Sequence, residues 1–269
     1  LFFSKVFYGI MEESVEYKYN LFTRIIKTSN FDFFDEINLI MNNSDGMIAI
    51  GHGVESFVYE VTKRKENFPI VLIESYSKFP YVKLNSVLVD NFNAAYLATK
   101  YLIECGHRKI AIIKGPDDYI SALDRYKGFL EALKENNISF FQKYVEEGNL
   151  EYVGGYEAAM RMIKRLKIKD FPTAIFCVND FTAIGVKDAL ERNGFLIPED
   201  VSLIGFDNIE LTQQVVPSLT TMNVPKEEMG RLALRRLNDL ISNKDLATVN
   251  LKVSAELIKR ESVKVLQKK

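Results

Sequence analysis

Histidine and cysteine are scarce in this chain, and that scarcity removes most catalytic templates. Only His52 and His107 occur among the 269 residues. His52 stands in Gly51-His52-Gly53 with no cysteine or motif serine near it in sequence, and reads as a loop residue. His107 follows a helix stop and reads as satisfying the last helix carbonyls. Cys105 and Cys177 are too far apart to form a metal or redox motif, so they read as buried thiols in a reducing compartment. There is no Walker loop and no GxGxxG, and Gly154-Gly155 reads as a helix start rather than a phosphate cradle. Carboxylates at strand ends (Glu74, Asp90, Asp207) would do glycosidase work only if two faced each other across a sugar. No enzyme, cofactor or metal is expected.

Other absences bear on partners. Lys and Arg number 35 against 36 Asp and Glu, a formal net charge of −1. Without a basic surplus the chain by itself is a poor electrostatic match for DNA. No apolar run approaches the roughly 20 residues that span a bilayer, and no secretory signal opens the sequence.

What is present is an ordinary globular balance, 47% hydrophobic and 26% charged, long enough for one large α/β domain or two lobes. The pattern centres on FPTAIFCVNDFTAIG, residues 171–185. A buried apolar run at 173–178 leads to Asn179-Asp180, and a helical period follows through Ala183, Ile184, Val186 and Leu190. The same alternation recurs along the chain. Helices are expected at 4–17 (with Val6, Ile10 and Val15 buried), 32–42, 54–65, 93–104, 123–136, 154–166 and 225–242, with Pro225 in the first turn. Strand-like runs fall at 19–28, 47–50, 70–73, 86–89, 110–114, 144–147, 201–206, 217–224 and 248–258. Gly106 suits the positive φ past a helix end. The sets divide into two near Val89. A doubly wound domain normally begins with a strand, so a preceding strand is expected upstream of Leu1.

Ligands of open α/β sheets sit at the carboxyl ends of strands. The groups expected there are Phe2, Phe3, Glu74, Tyr76, Tyr119, Ser121, Arg125, Asn179 and Asp207. Carboxylates and amides suit hydroxyls, a guanidinium gives two-point donation, and aromatic faces cover a sugar or a base. The plainer readings stand beside these. Phe2 and Phe3 could be core residues, Arg125 could pair with Asp124 or Glu131 at the surface, and Asp207 could cap a turn. Asp180 reads mainly as a helix cap, Asn179 as the better ligand candidate.

In order and spacing, LFFSKVFYGI, LVDNFNAAYLATKYLIECGHRKIAII, ISALDRYKGFLEAL, GGYEAA, PTAIFCVNDFTAIG, IPEDVSLIGFDNIEL, PSLTTMNVPKEEMGRLA and ELIKRES together resemble the effector-binding region of LacI/GalR-type transcription regulators. The resemblance implies an α/β fold of two Rossmann-like lobes with parallel sheets, joined by three crossovers (periplasmic binding protein-like I). The lobes would be 1–89 plus 224–252, and 90–223 plus 253–269. It implies a small effector, sugar or nucleoside-like, bound between the lobes, with Arg125 as its main anchor. Removal of Arg125 would then abolish binding with little change in melting temperature. Ser121, Asn179 and Asp207 would be further contacts, with Phe2 and Phe3 at the cleft edge. Glu74 stands where relatives often carry Asp, and Leu150 where they often carry a stacking aromatic. Phe181, Thr182, Thr212, Val215 and Pro217 would lie at a homodimer interface. Relatives carry an N-terminal helix-turn-helix reader of operator DNA, which this sequence lacks. The resemblance further implies a cytoplasmic protein. The alternative is an exported sugar-binding protein of the same fold that feeds a transporter.

Overall fold

The computed structural model describes residues 2–26, 33–65, 67–75, 82–243 and 246–266. The chain forms two compact units, Leu1–Val89 with Pro225–Val253, and Asp90–Val224 with Ser254–Lys269. It passes from one unit to the other at 89–90, 224–225 and 253–254.

The first unit contains α1 (Phe2–Glu16), α2 (Phe34–Asn43), β1 (Met47–Ile50), α3 (Glu55–Arg64), β2 (Ile70–Ile73), β3 (Asn85–Val89), α9 (Lys226–Ser242) and β9 (Asn250–Val253). Its sheet runs β1-β2-β3-β9, all parallel. All four residues of β2, Ile-Val-Leu-Ile, are buried, as expected of a parallel strand covered on both faces. Phe33, Ile37, Phe57, Val58, Val61 and Leu72 form the core of one face. α1 packs on α9 through glycine: a Cβ on Gly9 would lie 1.9 Å from the Glu227 carbonyl oxygen. Glu13, nearly buried, binds Arg235 through both oxygens beside that contact.

The second unit contains α4 (Asn91–Glu104), β4 (Ile110–Lys114), α5 (Ile120–Glu135), β5 (Val145–Glu147), α6 (Tyr152–Arg165), β6 (Ala174–Cys177), α7 (Asp180–Arg192), β7 (Ser202–Asp207), the short α8 (Leu211–Gln214), β8 (Thr220–Asn223) and β10 (Glu256–Ile258). The sheet order is β10-β8-β7-β6-β4-β5. Every pairing is parallel except β10 with β8. The Asp90 carboxylate caps α4 by accepting from Asn93 N–H, and Gly106 at φ +95° follows the helix's last turn. Helices pair α4 with α5 and α6 with α7. Fully buried Phe129, Phe176 and Phe206 each contribute about 1.5–3 kcal/mol by leaving water.

Four expectations from sequence change. Residues 19–26 form no strand. Tyr19 is tied to α9 by its hydroxyl, which donates to Asn238, and Arg24 pairs with Glu36. Residues 27 and 28 lie outside the described residues. Val15 is 72% exposed, because the buried face of α1 passes through Val6, Ile10, Glu13 and Ser14, and one further residue turns about 100° round a helix. The extended stretch 248–258 divides between the two sheets as β9 and β10, and β10 makes the second sheet mixed. Pro225 stands at the N-cap of α9, one residue before its first turn.

Candidate functional site

Backbone strain collects at strand ends. Among the described residues, the non-glycine positions at positive φ are Lys18, Glu74, Asn137, Leu150, Asp207 and Asn208. Lys18 and Asn137 follow helices. Glu74 follows β2, Leu150 lies past β5, and Asp207 (φ +107°) and Asn208 (φ +54°) end β7. Such conformations cost about 1–3 kcal/mol each and gather at functional sites.

In the second unit this strain surrounds Arg125. The side chain leaves α5 and is 6% exposed. Its Nε donates to Asn91 Oδ1 at 2.7 Å and its Nη1 to the Val178 carbonyl at 2.7 Å. Nη2 stands 3.5 Å from Asp207 Oδ1, and the guanidinium lies 3.7 Å over the Phe206 ring. The structure thus brings Arg125 and Asp207 together at the carboxyl ends of β6 and β7. The surface pairing with Asp124 or Glu131 is not formed, since Asp124 holds Lys127 and Glu131 holds Lys134. Sequence reasoning missed Asn91 and Phe206, the groups that fix the guanidinium. The only signals were adjacency: Asn91 follows the capping Asp90, and Phe206 precedes Asp207.

The capping role expected of Asp180 falls to Asn179. Asn179 is the N-cap of α7, accepting from Thr182 N–H at 2.9 Å, and its Nδ2 donates to the Leu150 carbonyl at 2.8 Å. Asp180 is fully buried and does not cap. Its carboxylate accepts from Thr221 Oγ1 at 2.6 Å and from Ile209 N–H at 2.9 Å. It sits against Gly205, where a Cβ would lie 2.3 Å from Asp180 Oδ1. Arg260 extends this network by donating to Asn208 Oδ1, Thr212 Oγ1 and the Leu219 carbonyl. Burial pulls the Arg260 guanidinium down from its ordinary range, and Asp180 opposes that shift.

Tyr119 is the N-cap residue of α5, and Ser121 stands in its first turn; both are half-buried. Leu150 lies against Gly115, where a Cβ would come 2.8 Å from its Cδ2. In the first unit, Phe2 and Phe3 open α1 and meet edge to face at 5.2 Å. Phe3 is 51% exposed and its ring lies over Gly51, at the end of β1. Glu74 Oε1 accepts from Val89 N–H at 2.6 Å, so this carboxylate ties the end of β2 to the end of β3. Tyr76 lies outside the described residues.

The residues expected at a dimer surface separate. Thr182 and Thr212 are completely buried inside the unit. Thr212 donates to the Ile209 carbonyl and accepts from Arg260. Val215 packs on the core, while Phe181 and Pro217 are half-buried. Val216, between the last two expected positions, is 81% exposed. The His107 side chain does not reach helix carbonyls. It is buried between Thr173 Oγ1 at 3.0 Å and the Lys264 carbonyl at 3.2 Å, while its backbone N–H takes Leu102 O. Burial pushes the thiol of Cys177 far up and that of Cys105 up. No group of three or more His, Cys, Asp or Glu able to hold a metal occurs among the described residues. No helix among them is long and apolar enough to cross a membrane. A groove of about 530 Å³ in the first unit, lined by Phe68, Leu84, Leu240 and Leu246, opens at the amino ends of β2 and β3, the end opposite to the strained tips.

A family described as a periplasmic binding protein-like domain matches residues 99–263. The HTH-type transcriptional repressor PurR of Mannheimia succiniciproducens is 30% identical over 264 residues, covering 98% of this chain and 78% of that protein. The repressor CytR of Escherichia coli is 32% identical over 266 residues, 98% of this chain and 76% of that protein. A solved complex of the transcriptional regulator CelR with cellobiose superposes with a TM-score of 0.86 at 26% identity, covering 97% of this chain and 79% of that one.

Proposed function

The chain belongs to the LacI/GalR family of transcription regulators, and from that premise we propose that it is the sensing part of a cytoplasmic homodimer. In this reading a small polyhydroxylated effector binds at the strained strand ends and alters operator binding by a DNA reader that lies outside residues 1–269. The relatives that match it end to end are repressors, which favours this reading over a transport protein. The CelR complex supports a sugar-sized effector, since that protein is described with cellobiose. The reading is one of regulation rather than catalysis.

One observation carries the proposal: a nearly buried guanidinium fixed by hydrogen bonds to two oxygens and by one aromatic face, beside a carboxylate on a strained residue. A preset donor–acceptor pair of this kind can recognise vicinal hydroxyls without first becoming ordered. Within the second unit, Ser121 and Asn179 supply further polar contacts and Leu150 an aliphatic wall. Effector and operator affinities are then reciprocally coupled.

The test is calorimetric titration with a panel of sugars and nucleosides, repeated on Arg125→Lys. A hydrogen bond to a charged group is worth about 1.5–3 kcal/mol, so the variant is expected to bind roughly 10- to 100-fold more weakly. Unchanged affinity would remove Arg125 from the site. Lysine is the informative replacement. Arg125→Ala would remove the cation that faces Asp207 and the donor to the Val178 carbonyl, and breaking a buried charge pair costs about 3–5 kcal/mol. Arg125→Ala is therefore expected to lower the melting temperature by several degrees, not to leave it nearly unchanged.

A further inference from the structure

The charges around the same strand ends are unbalanced, and their imbalance selects among effectors. At the carboxyl ends of the second unit's strands and in the loops after them stand Asp117, Asp118, Glu147, Glu151 and Asp207, with Asp90 at the start of α4. Arg260, from the loop after β10, reaches Asn208 but spends its donors on Asn208, Thr212 and the Leu219 carbonyl. At the ends of the parallel strands β4 to β7, in the loops after them and in the first two turns of α5, the cations are Lys114 and Arg125. Both are already neutralised. Lys114 Nζ lies 2.5 Å from Asp117 Oδ1 and 2.9 Å from Glu147 Oε2, with its side chain 15% exposed. Arg125 faces Asp207 and spends Nε and Nη1 on Asn91 and Val178.

Helix starts, the other common source of positive potential for an anion, are also spoken for. Asn179 caps α7 and Asp90 caps α4. α5 and α6 begin without a side-chain cap, but Asp117 and Asp118 immediately precede the first and Glu151 is the N-cap residue of the second. A phosphate or carboxylate arriving here would meet like charge on Asp207 and lose its water without gaining an unpaired cation. Hydroxyl groups carry no such penalty, and they can donate to Asp207 while accepting from the N–H groups of Arg125 not yet used.

We propose that the effector is uncharged: a free sugar or nucleoside is bound, and the phosphate ester of the same compound is rejected. This rests on the effector-sensing reading above and narrows its ligand class. The experiment is titration of the chain with matched pairs (glucose, ribose, cellobiose, adenosine and cytidine, each against a phosphate ester of itself), with inorganic phosphate as a further probe. The neutral member of a binding pair is expected to bind at least tenfold more tightly than its ester, and millimolar inorganic phosphate to leave the melting temperature unchanged. In Asp207→Asn the ratio between ester and parent is expected to move toward one, even as both affinities fall. An ester that binds as tightly as its parent, or more tightly, overturns the selectivity and leaves the sensing role standing. Failure of every pair to bind overturns the sensing role, and the selectivity with it.

Discussion

His107 shows at the scale of one residue how this fold depends on proton concentration. Burial, the largest cause, holds its imidazole below the ordinary value of 6.5. The charges of Lys264 and Arg108 push the same way, and the hydrogen bond to the Lys264 carbonyl opposes them. The unfolded chain therefore takes up a proton that the folded chain refuses. The associated stability is complete above about pH 6.5 and is lost as pH falls through that value toward the depressed folded one. Urea unfolding midpoints are expected to fall between pH 7.5 and pH 5.5 in the natural protein and to fall less in His107→Gln. Equal declines in both proteins would refute this. The role of His107 was only half legible in sequence. Its position after Gly106 marked a helix stop, but its partners Thr173 and Lys264 are 66 and 157 residues away. The same distance hid the work of Asp180, whose partners Ile209 and Thr221 lie on segments that no local pattern connects to it.

At the scale of elements, helix pairs are set by glycine. A Cβ on Gly155 of α6 would lie 2.2 Å from the Thr182 carbonyl oxygen, and one on Gly185 of α7 would lie 2.0 Å from the Tyr152 carbonyl oxygen. Backbone thus approaches backbone in both directions, and a methyl group would separate the helices. Gly155→Ala is expected to cost about 1–3 kcal/mol, as overpacking of a filled core does. The melting temperature should drop by several degrees, while Glu157→Ala on the exposed face of α6 leaves it within a degree or so. A harmless Gly155→Ala would show that the pair can slide apart freely.

Most of the elements could be read from sequence because buried parallel strands and amphipathic helices have distinct periods. The strands at 47–50, 70–73 and 110–114 coincide with β1, β2 and β4. The failures were also physical. Residues 19–26 have strand-like composition but no partner edge, and a strand exists only with one. Arg125 and Asp207 were legible as strand-end polar groups, whereas Asn91 and Phe206 look like ordinary helix and core residues until the guanidinium is placed between them.

At the scale of the whole molecule, exposed apolar side chains argue for self-association. Tyr8, Met11 and Val15 on α1 are 53%, 47% and 72% exposed, and Val216 of the second unit is 81% exposed. Tyr8, Met11 and Val15 recur at three- and four-residue spacing on one face of α1, and clustered apolar surface of this kind marks interaction sites. Light scattering at micromolar concentration is expected to return twice the mass of the chain, and Val15→Asp and Val216→Asp are each expected to raise the dissociation constant at least tenfold. A monomer at that concentration would remove the dimer from the proposal.

The three passages of the chain between its units also fix an order of events during synthesis. α9, which covers α1, and β9, which completes the edge of β3, are translated only after the whole stretch 90–224. At the usual 5–20 residues per second, the interval between Val89 and Val253 lasts on the order of 10–30 s. Throughout it the nascent first unit carries an open strand edge and an uncovered helix face, the features that recruit unwanted partners. Of the two units, the one whose synthesis starts earlier is therefore the later to close, and its quality depends on what shelters it meanwhile.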